Sequence, residues 1–204
     1  MQSKILLKQT MLIIVFTGFV IFLSSIFYFI TKNAIQNGSE TPIKDFVVSP
    51  KQEQTNPGLP VRLNIPKINV DAVIEYVGLT PNGEMDVPKG PAEVVWFELG
   101  QRPGENGSAV IAGHYGPWKS GARSVFENLT ELRKGDKVYV EDDKGETISF
   151  VVREIRRYDP EADASGVFSS NDGKAHLNLI TCDGVWDNVS KSYPERLVVF
   201  TDKE

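Results

Sequence analysis

Between Leu59 and Thr201 the apolar residues come in short alternating runs, and this limits the fold more than any other feature of the chain. Val61, Leu63 and Ile65 alternate, Pro66 interrupts, and Ile68, Val70 and Ala72-Val73-Ile74 continue. Ala109-Val110-Ile111-Ala112 is a buried-strand run that stops at Gly113-His114. Val138 and Val140, then Asp142-Asp143-Lys144-Gly145, then Ile148, Phe150 and Val152 read as a hairpin with a charged turn. Two more strands are expected near 175–182 and 195–201. Turn residues separate the runs, among them Pro81-Asn82-Gly83, Pro88-Lys89-Gly90-Pro91 and Pro103-Gly104. Only Ser124 to Leu132 carries helical spacing, and residues 158–174 read as a long polar connection. About eight strands with one or two short helices imply a mainly β domain, a closed or nearly closed barrel over residues 59–204.

A different solvent governs the N-terminus. Between Lys8 and Lys32 lie 23 residues without a charge, spanning roughly 34 Å as a helix, enough to cross a hydrocarbon core. A cleaved signal peptide has an apolar region of about 7–15 residues ending in small residues. This run is longer and ends in Phe27-Tyr28-Phe29, so residues 9–31 are expected to be an uncleaved transmembrane anchor. Lys4, Lys8 and the terminal amine hold residues 1–8 inside, against Lys32 alone beyond the span. The domain over residues 59–204 is therefore expected outside the cell, on a single-pass anchor in the cell membrane. Residues 32–58, with Pro42, Pro50, Pro57 and Asn37-Gly38, lack periodicity and read as a flexible stalk.

Charge narrows the partners. The formal net charge is -5, and no basic stripe exists to neutralise phosphates, which argues against nucleic acid. The single cysteine, Cys182, cannot form an internal disulfide. In an oxidising exterior an unpaired thiol is a liability, which favours a chemical use for it.

That use comes from its surroundings. Cys182 ends the strand His176-Leu177-Asn178-Leu179-Ile180-Thr181, and Arg196 begins the strand Leu197-Val198-Val199-Phe200 fourteen positions later. If those strands are neighbours, the thiol faces the guanidinium. Two histidines are available. His114 sits at a glycine-flanked strand end, whereas His176 lies on the face of Cys182 but about 20 Å from it, a structural position. A thiolate attacks an acyl carbon, an imidazole protonates the leaving amine, and a guanidinium donates to the developing oxyanion. His114, Cys182 and Arg196 are the candidate catalytic residues. A free thiol titrates near about 8.5, so a neutral thiol is the resting form at pH 7 unless Arg196 lowers it.

With these residues in place, the sequence resembles the sortases, membrane-anchored cysteine transpeptidases of Gram-positive-type cell surfaces. The resemblance rests on Ala112-Gly113-His114, Leu179-Ile180-Thr181-Cys182 and Arg196-Leu197-Val198-Val199, with spacings of 68 and 14 residues. It extends over 59–201, including Leu63-Asn64-Ile65-Pro66-Lys67-Ile68 and Leu132-Arg133-Lys134-Gly135-Asp136. Trp186-Asp187 and Ser192-Tyr193 look most like class F, with D and E as neighbours; Asn178 stands where the cysteine motif usually begins with threonine. The resemblance implies an eight-stranded barrel with the three residues along one groove. It implies cleavage of an LPxTG-like sorting signal on secreted proteins, between threonine and glycine. A thioester on Cys182 would then pass to a cell-wall precursor or pilin amine. Thr181 and Gly113 would be groove or supporting elements in substrate binding. No cofactor is expected. Some sortases bind calcium through acidic loops, but Asp159, Glu161, Asp163 and Glu105 read as solvated carboxylates, and no metal is assigned.

Two other readings compete. An L,D-type transpeptidase also joins a thiol to a histidine, but it carries an arginine close after the cysteine, where Asp183-Gly184 stand here. A catalytically inactive barrel serving as a surface scaffold or adhesion module is the non-enzyme alternative.

Overall fold

The computed structural model describes residues 56–118 and 121–204. The expected cytoplasmic segment 1–8, the anchor 9–31 and the stalk up to residue 55 lie outside the described residues. Among the described residues no helix is long and apolar enough to cross a membrane.

Eight strands form the domain: β1 (Pro60–Ile65), β2 (Val70–Val77), β3 (Val94–Phe97), β4 (Gly107–Gly113), β5 (Lys137–Asp142), β6 (Thr147–Tyr158), β7 (Ala175–Asp183) and β8 (Glu195–Lys203). They close into a barrel in the order β1-β2-β3-β4-β7-β8-β6-β5, and β5 returns to β1. The β2–β3 and β4–β7 pairs are parallel and the others antiparallel. Closure leaves no long unpaired edge, a sensible end for a sheet of this size. Asn56–Gly58, the last residues of the expected stalk, are already tied to the barrel. Asn56 O accepts from Lys144 Nζ at 2.8 Å, Pro57 O from Arg102 Nη1 at 3.1 Å, and Gly58 N donates to Asp142 Oδ2 at 2.7 Å.

Alternation decides which side chains enter the barrel. Leu63 and Ile65 of β1, Ala109 and Ile111 of β4, Leu177 and Leu179 of β7, and Leu197 and Val199 of β8 share one core with Phe126 and Phe150. The residues between them point outward. On the outer face, the four-residue helix α1 (Ser165–Phe168) lays Val167 against Val198 and Phe200. Asn178 Nδ2 donates to Val167 O at 2.6 Å, and Phe97 and Phe168 meet edge to face at 5.6 Å. This cover makes β4 and β7 buried on both faces over most of their length. It reaches Ile180, one outward position short of Cys182.

Two elements differ from the sequence expectation. The strand β3 has no alternation to announce it, because Val94, Val95 and Trp96 are all buried. The helix expected over Ser124–Leu132 is a run of turns ending in a 3₁₀ turn, Leu129–Glu131. Phe126, Leu129 and Leu132 are all buried and stand three apart, the period of a 3₁₀ helix. Leu129 N donates to Phe126 O and Leu132 N to Leu129 O, while Val125 N and Phe126 N donate to the distant carbonyls of Pro91 and His114. Those outside acceptors pull the segment away from an α-helical ladder.

His176 is structural, as its distance from the thiol implies. Its Nδ1 lies 2.8 Å from Asp202 Oδ1 and its Nε2 3.0 Å from Asp172 Oδ1, and the ring is buried. The Asp172 carboxyl is held down to about 2, first by the hydrogen bond with His176 and then by the Lys174 backbone N–H. A depressed carboxylate stabilises the fold above its unfolded value near 3.8, and that contribution is lost as pH falls through about 2. Asp172→Asn, which keeps the shape and removes the charge, is expected to lower Tm by roughly one to three degrees at pH 6–7. The gap between variant and wild type should close between pH 4 and pH 2. An offset that ignores pH would show that charge is not what holds this corner.

Candidate active site

Three strands bring the candidate residues to one place. In the β7–β8 pair Cys182 stands opposite Arg196, and directly opposed Cβ atoms in such a pair lie about 4.5–5.5 Å apart. In the β4–β7 pair the register runs to Ala112 opposite Ile180. Continuing it by two residues puts His114 level with Cys182 on the neighbouring strand. Alternation fixes the face. Leu179 and Leu197 point into the core and Ile180 and Val198 away from it, so Cys182 and Arg196 point outward. Gly113 faces Phe126 inside, so His114 also points outward. Imidazole, thiol and guanidinium therefore share the outer face of β4, β7 and β8, just past the edge of the α1 cover.

Each side chain is held by its own contacts. His114 Nε2 lies 2.7 Å from Pro88 O. A carbonyl only accepts, so Nε2 donates and Nδ1 is the nitrogen left to exchange a proton. The ring also packs on Trp118, with centroids 4.8 Å apart. Arg196 Nη1 donates to Tyr193 O at 3.2 Å and Glu195 O at 3.1 Å, leaving the Nε and Nη2 hydrogens for a ligand. The acidic neighbours do not compete for it. Arg157 Nε takes Asp183 Oδ2 at 2.6 Å and Glu195 Oε2 at 3.6 Å.

Burial pushes the Cys182 thiol above its ordinary value, and the charge of Arg196 pulls against it without winning. The resting sulfur is a thiol at neutral pH, beside a cation that stabilises the thiolate once it forms.

Thr181 and Gly113 lie beneath this surface. Thr181 is 3% exposed, and its hydroxyl donates to Gly113 O at 2.8 Å. The bond ties the end of β4 to the end of β7, which are the residues before His114 and Cys182. Their place is support from below: the Thr181 side chain is buried, and the Cα of Gly113 faces Phe126 and Val125 in the interior. At Gly113 a Cβ would lie 2.6 Å from Phe126 Cδ2 and 2.8 Å from Val125 Cγ1. Overpacking of this kind costs about 1–3 kcal/mol. Gly113→Ala is therefore expected to lower the urea midpoint by that equivalent, and an unchanged midpoint would mean that β4 has room to shift.

The sequence reading missed an aromatic group around the thiol. Tyr193 packs edge-on against Tyr115 at 5.3 Å and Trp186 at 5.1 Å, and Trp118 covers His114. The available signal was the density of aromatics within a few residues of both His114 and Cys182. The tie to Pro88 leaves no signal, because a backbone carbonyl has no residue type. In the acidic connection, Asp159 and Asp163 accept from the backbone N–H groups of Glu161 and Ser165, both at 2.9 Å.

Comparison with known proteins follows the same lines. No curated protein matches the sequence. Among solved structures the chain is similar to Streptococcus agalactiae sortase C1 in complex with MTSET, at 25% identity and a TM-score of 0.55. That match covers 71% of this chain and 66% of the other, so the chain spans just under two thirds of it. It is similar to group B Streptococcus pilus island 1 sortase C2, at 29% identity and a TM-score of 0.55, over 71% and 73% of the two chains. In fold it is also similar to a Clostridium perfringens sortase D5 transpeptidase, at 24% identity and a TM-score of 0.53, over 72% and 79%. The sortase domain family model matches residues 63–204, a span that holds the second half of β1 and all of β2 to β8, together with His114, Cys182 and Arg196. By that match and by the barrel itself, the chain belongs to the sortase family.

Proposed function

We propose that this sortase is a cysteine transpeptidase that cleaves an LPxTG-like sorting signal between threonine and glycine. It passes the acyl group from Cys182 to a cell-envelope amine, of a cell-wall precursor or a pilin. The observation that carries the reading is the common outward face of His114, Cys182 and Arg196 at the ends of three adjacent strands. The α1 cover packs on Ile180, and Cys182, one outward position further along β7, stays partly exposed, which supports approach of a peptide from that face.

The reaction balances as two acyl transfers. The Cys182 proton passes to His114 Nδ1, and the thiolate attacks the threonine carbonyl carbon. The oxyanion so formed accepts hydrogen bonds from the free N–H groups of Arg196. His114 returns the proton to the glycine nitrogen as the C–N bond breaks, leaving a thioester. An incoming amine, deprotonated by His114, attacks the thioester carbon, and the sulfur leaves as thiolate and recovers its proton. The raised thiol suits this order: the nucleophile is unmasked when substrate is present, and an exposed, permanently ionised sulfur is avoided. Residues 9–31 serve as the membrane anchor in this proposal, with the barrel outside, and Trp186-Asp187 with Ser192-Tyr193 support a class F assignment.

The test is direct. The unit from Gln54 to Glu204 is compact on its own. Incubated with quenched LPxTG-like peptides, with and without an amine, it should cleave at threonine–glycine and carry an acyl mass on Cys182. An absence of both adduct and cleavage across the peptide set would favour the inactive scaffold instead.

A further inference from the structure

We infer that Tyr193 is a positioning residue, a strut that holds the His114 segment and the Arg196 guanidinium in register on either side of Cys182. The inference rests on the transpeptidase reading and adds to it a residue outside the three that react.

Tyr193 touches both walls of the site. Its ring packs edge-on against Tyr115, the residue after His114, and its hydroxyl lies 3.5 Å from Tyr115 O. It also approaches Gly116, where a Cβ would collide with the phenol oxygen; the chain there takes a φ of +77°, open to glycine. On the other side, the carbonyl of the same residue accepts from Arg196 Nη1 at 3.2 Å. One residue thus contributes its ring to the His114 side and its carbonyl to the Arg196 side, so the anchoring of the ring bears on the backbone that holds the guanidinium. The phenol is raised by burial first and then by charge on Cys182, which places it in the field of the nucleophile.

The loop that carries Tyr193 is built to hold it. Asp187 N donates to Ser192 O at 3.0 Å, Ser190 Oγ donates to Asp187 Oδ2 at 2.9 Å, and Trp186 meets the ring edge-on at 5.1 Å. Val185 and Val189 of the same loop are exposed and Trp186 is 44% exposed, whereas Tyr193 is partly buried. A hydroxyl at 3.5 Å is a marginal hydrogen bond, so most of the hold comes from ring packing. This predicts different outcomes for removing the oxygen and removing the ring.

The experiment compares Tyr193→Phe and Tyr193→Ala in the Gln54–Glu204 unit, with two kinds of readout. By NMR, the Arg196 Nε–H and His114 imidazole signals should keep their wild-type positions in Tyr193→Phe and collapse toward averaged positions in Tyr193→Ala, while core methyl signals stay put. With cleaved peptide, kcat should fall about ten- to a hundredfold in Tyr193→Ala with KM changed less than about threefold, and Tyr193→Phe should recover to within about threefold. Unshifted Arg196 and His114 signals in Tyr193→Ala overturn the inference, as does a Phe variant as impaired as the Ala variant. If Tyr193→Ala loses its core signals, Tyr193→Leu takes its place under the same criteria. A wild-type protein that cleaves nothing refutes the transpeptidase reading, and the NMR comparison then decides the strut alone.

Discussion

Cys182→Ala should fold as the wild type does and cleave no peptide, a loss of at least about 10³-fold in kcat/KM. In a covalent mechanism the bond to sulfur is the reaction, and removing a nucleophile is not compensated by its neighbours. The fold should tolerate the change, because Cys182 is half-buried on the outer face and contributes nothing to the barrel core. Cys182→Ser sharpens the test. It keeps the shape and a hydrogen-bonding atom but offers a hydroxyl that Arg196 cannot ionise at neutral pH. Tm, cleavage rate and the acyl mass on residue 182 are the three measurements. Unchanged Tm with no cleavage and no adduct is the expected set. Cleavage surviving in the alanine variant would place the chemistry elsewhere and sink the thioester route.

The parts of this site that alternate were legible in the sequence. Leu177, Leu179 and Thr181 against Asn178, Ile180 and Cys182 is a two-residue period, and it carries the thiol to the outer face once Leu179 is known to be core. Arg196 before Leu197-Val198-Val199 follows the same rule, and one register links the two. The barrel was legible for that reason, apart from β3, whose two buried faces erase the period. Contacts between loops were not legible. The Tyr193–Tyr115 pair spans 78 positions and the His114–Pro88 tie 26, and neither has a spacing rule behind it. Thr181 shows the remaining limit. Its neighbour Cys182 marked it as part of the site, but only burial and the bond to Gly113 O show that it works from beneath.

Arg196→Lys should keep the positive charge and lose most of the activity, about 10²- to 10³-fold in kcat, the usual cost of an oxyanion donor. A guanidinium does three things here that an ammonium does not do together. Nη1 grips the carbonyls of Tyr193 and Glu195, and that grip fixes the plane of the fork. The fork then presents Nε and Nη2 as parallel donors on one edge, where a lysine offers a single point charge on a flexible stem. The charge itself pulls the Cys182 thiol downward against burial. The pH dependence of Cys182 alkylation separates the last effect from the first two. Arg196→Ala should move the alkylation midpoint to higher pH, since only burial then acts on the thiol, whereas Arg196→Lys should leave it near the wild-type position. If turnover is lost in both variants while the midpoint moves only in the alanine one, the donors rather than the charge carry the acceleration. Near-normal turnover in Arg196→Lys would mean that the oxyanion is stabilised by charge alone, and the planar clamp would have to be given up.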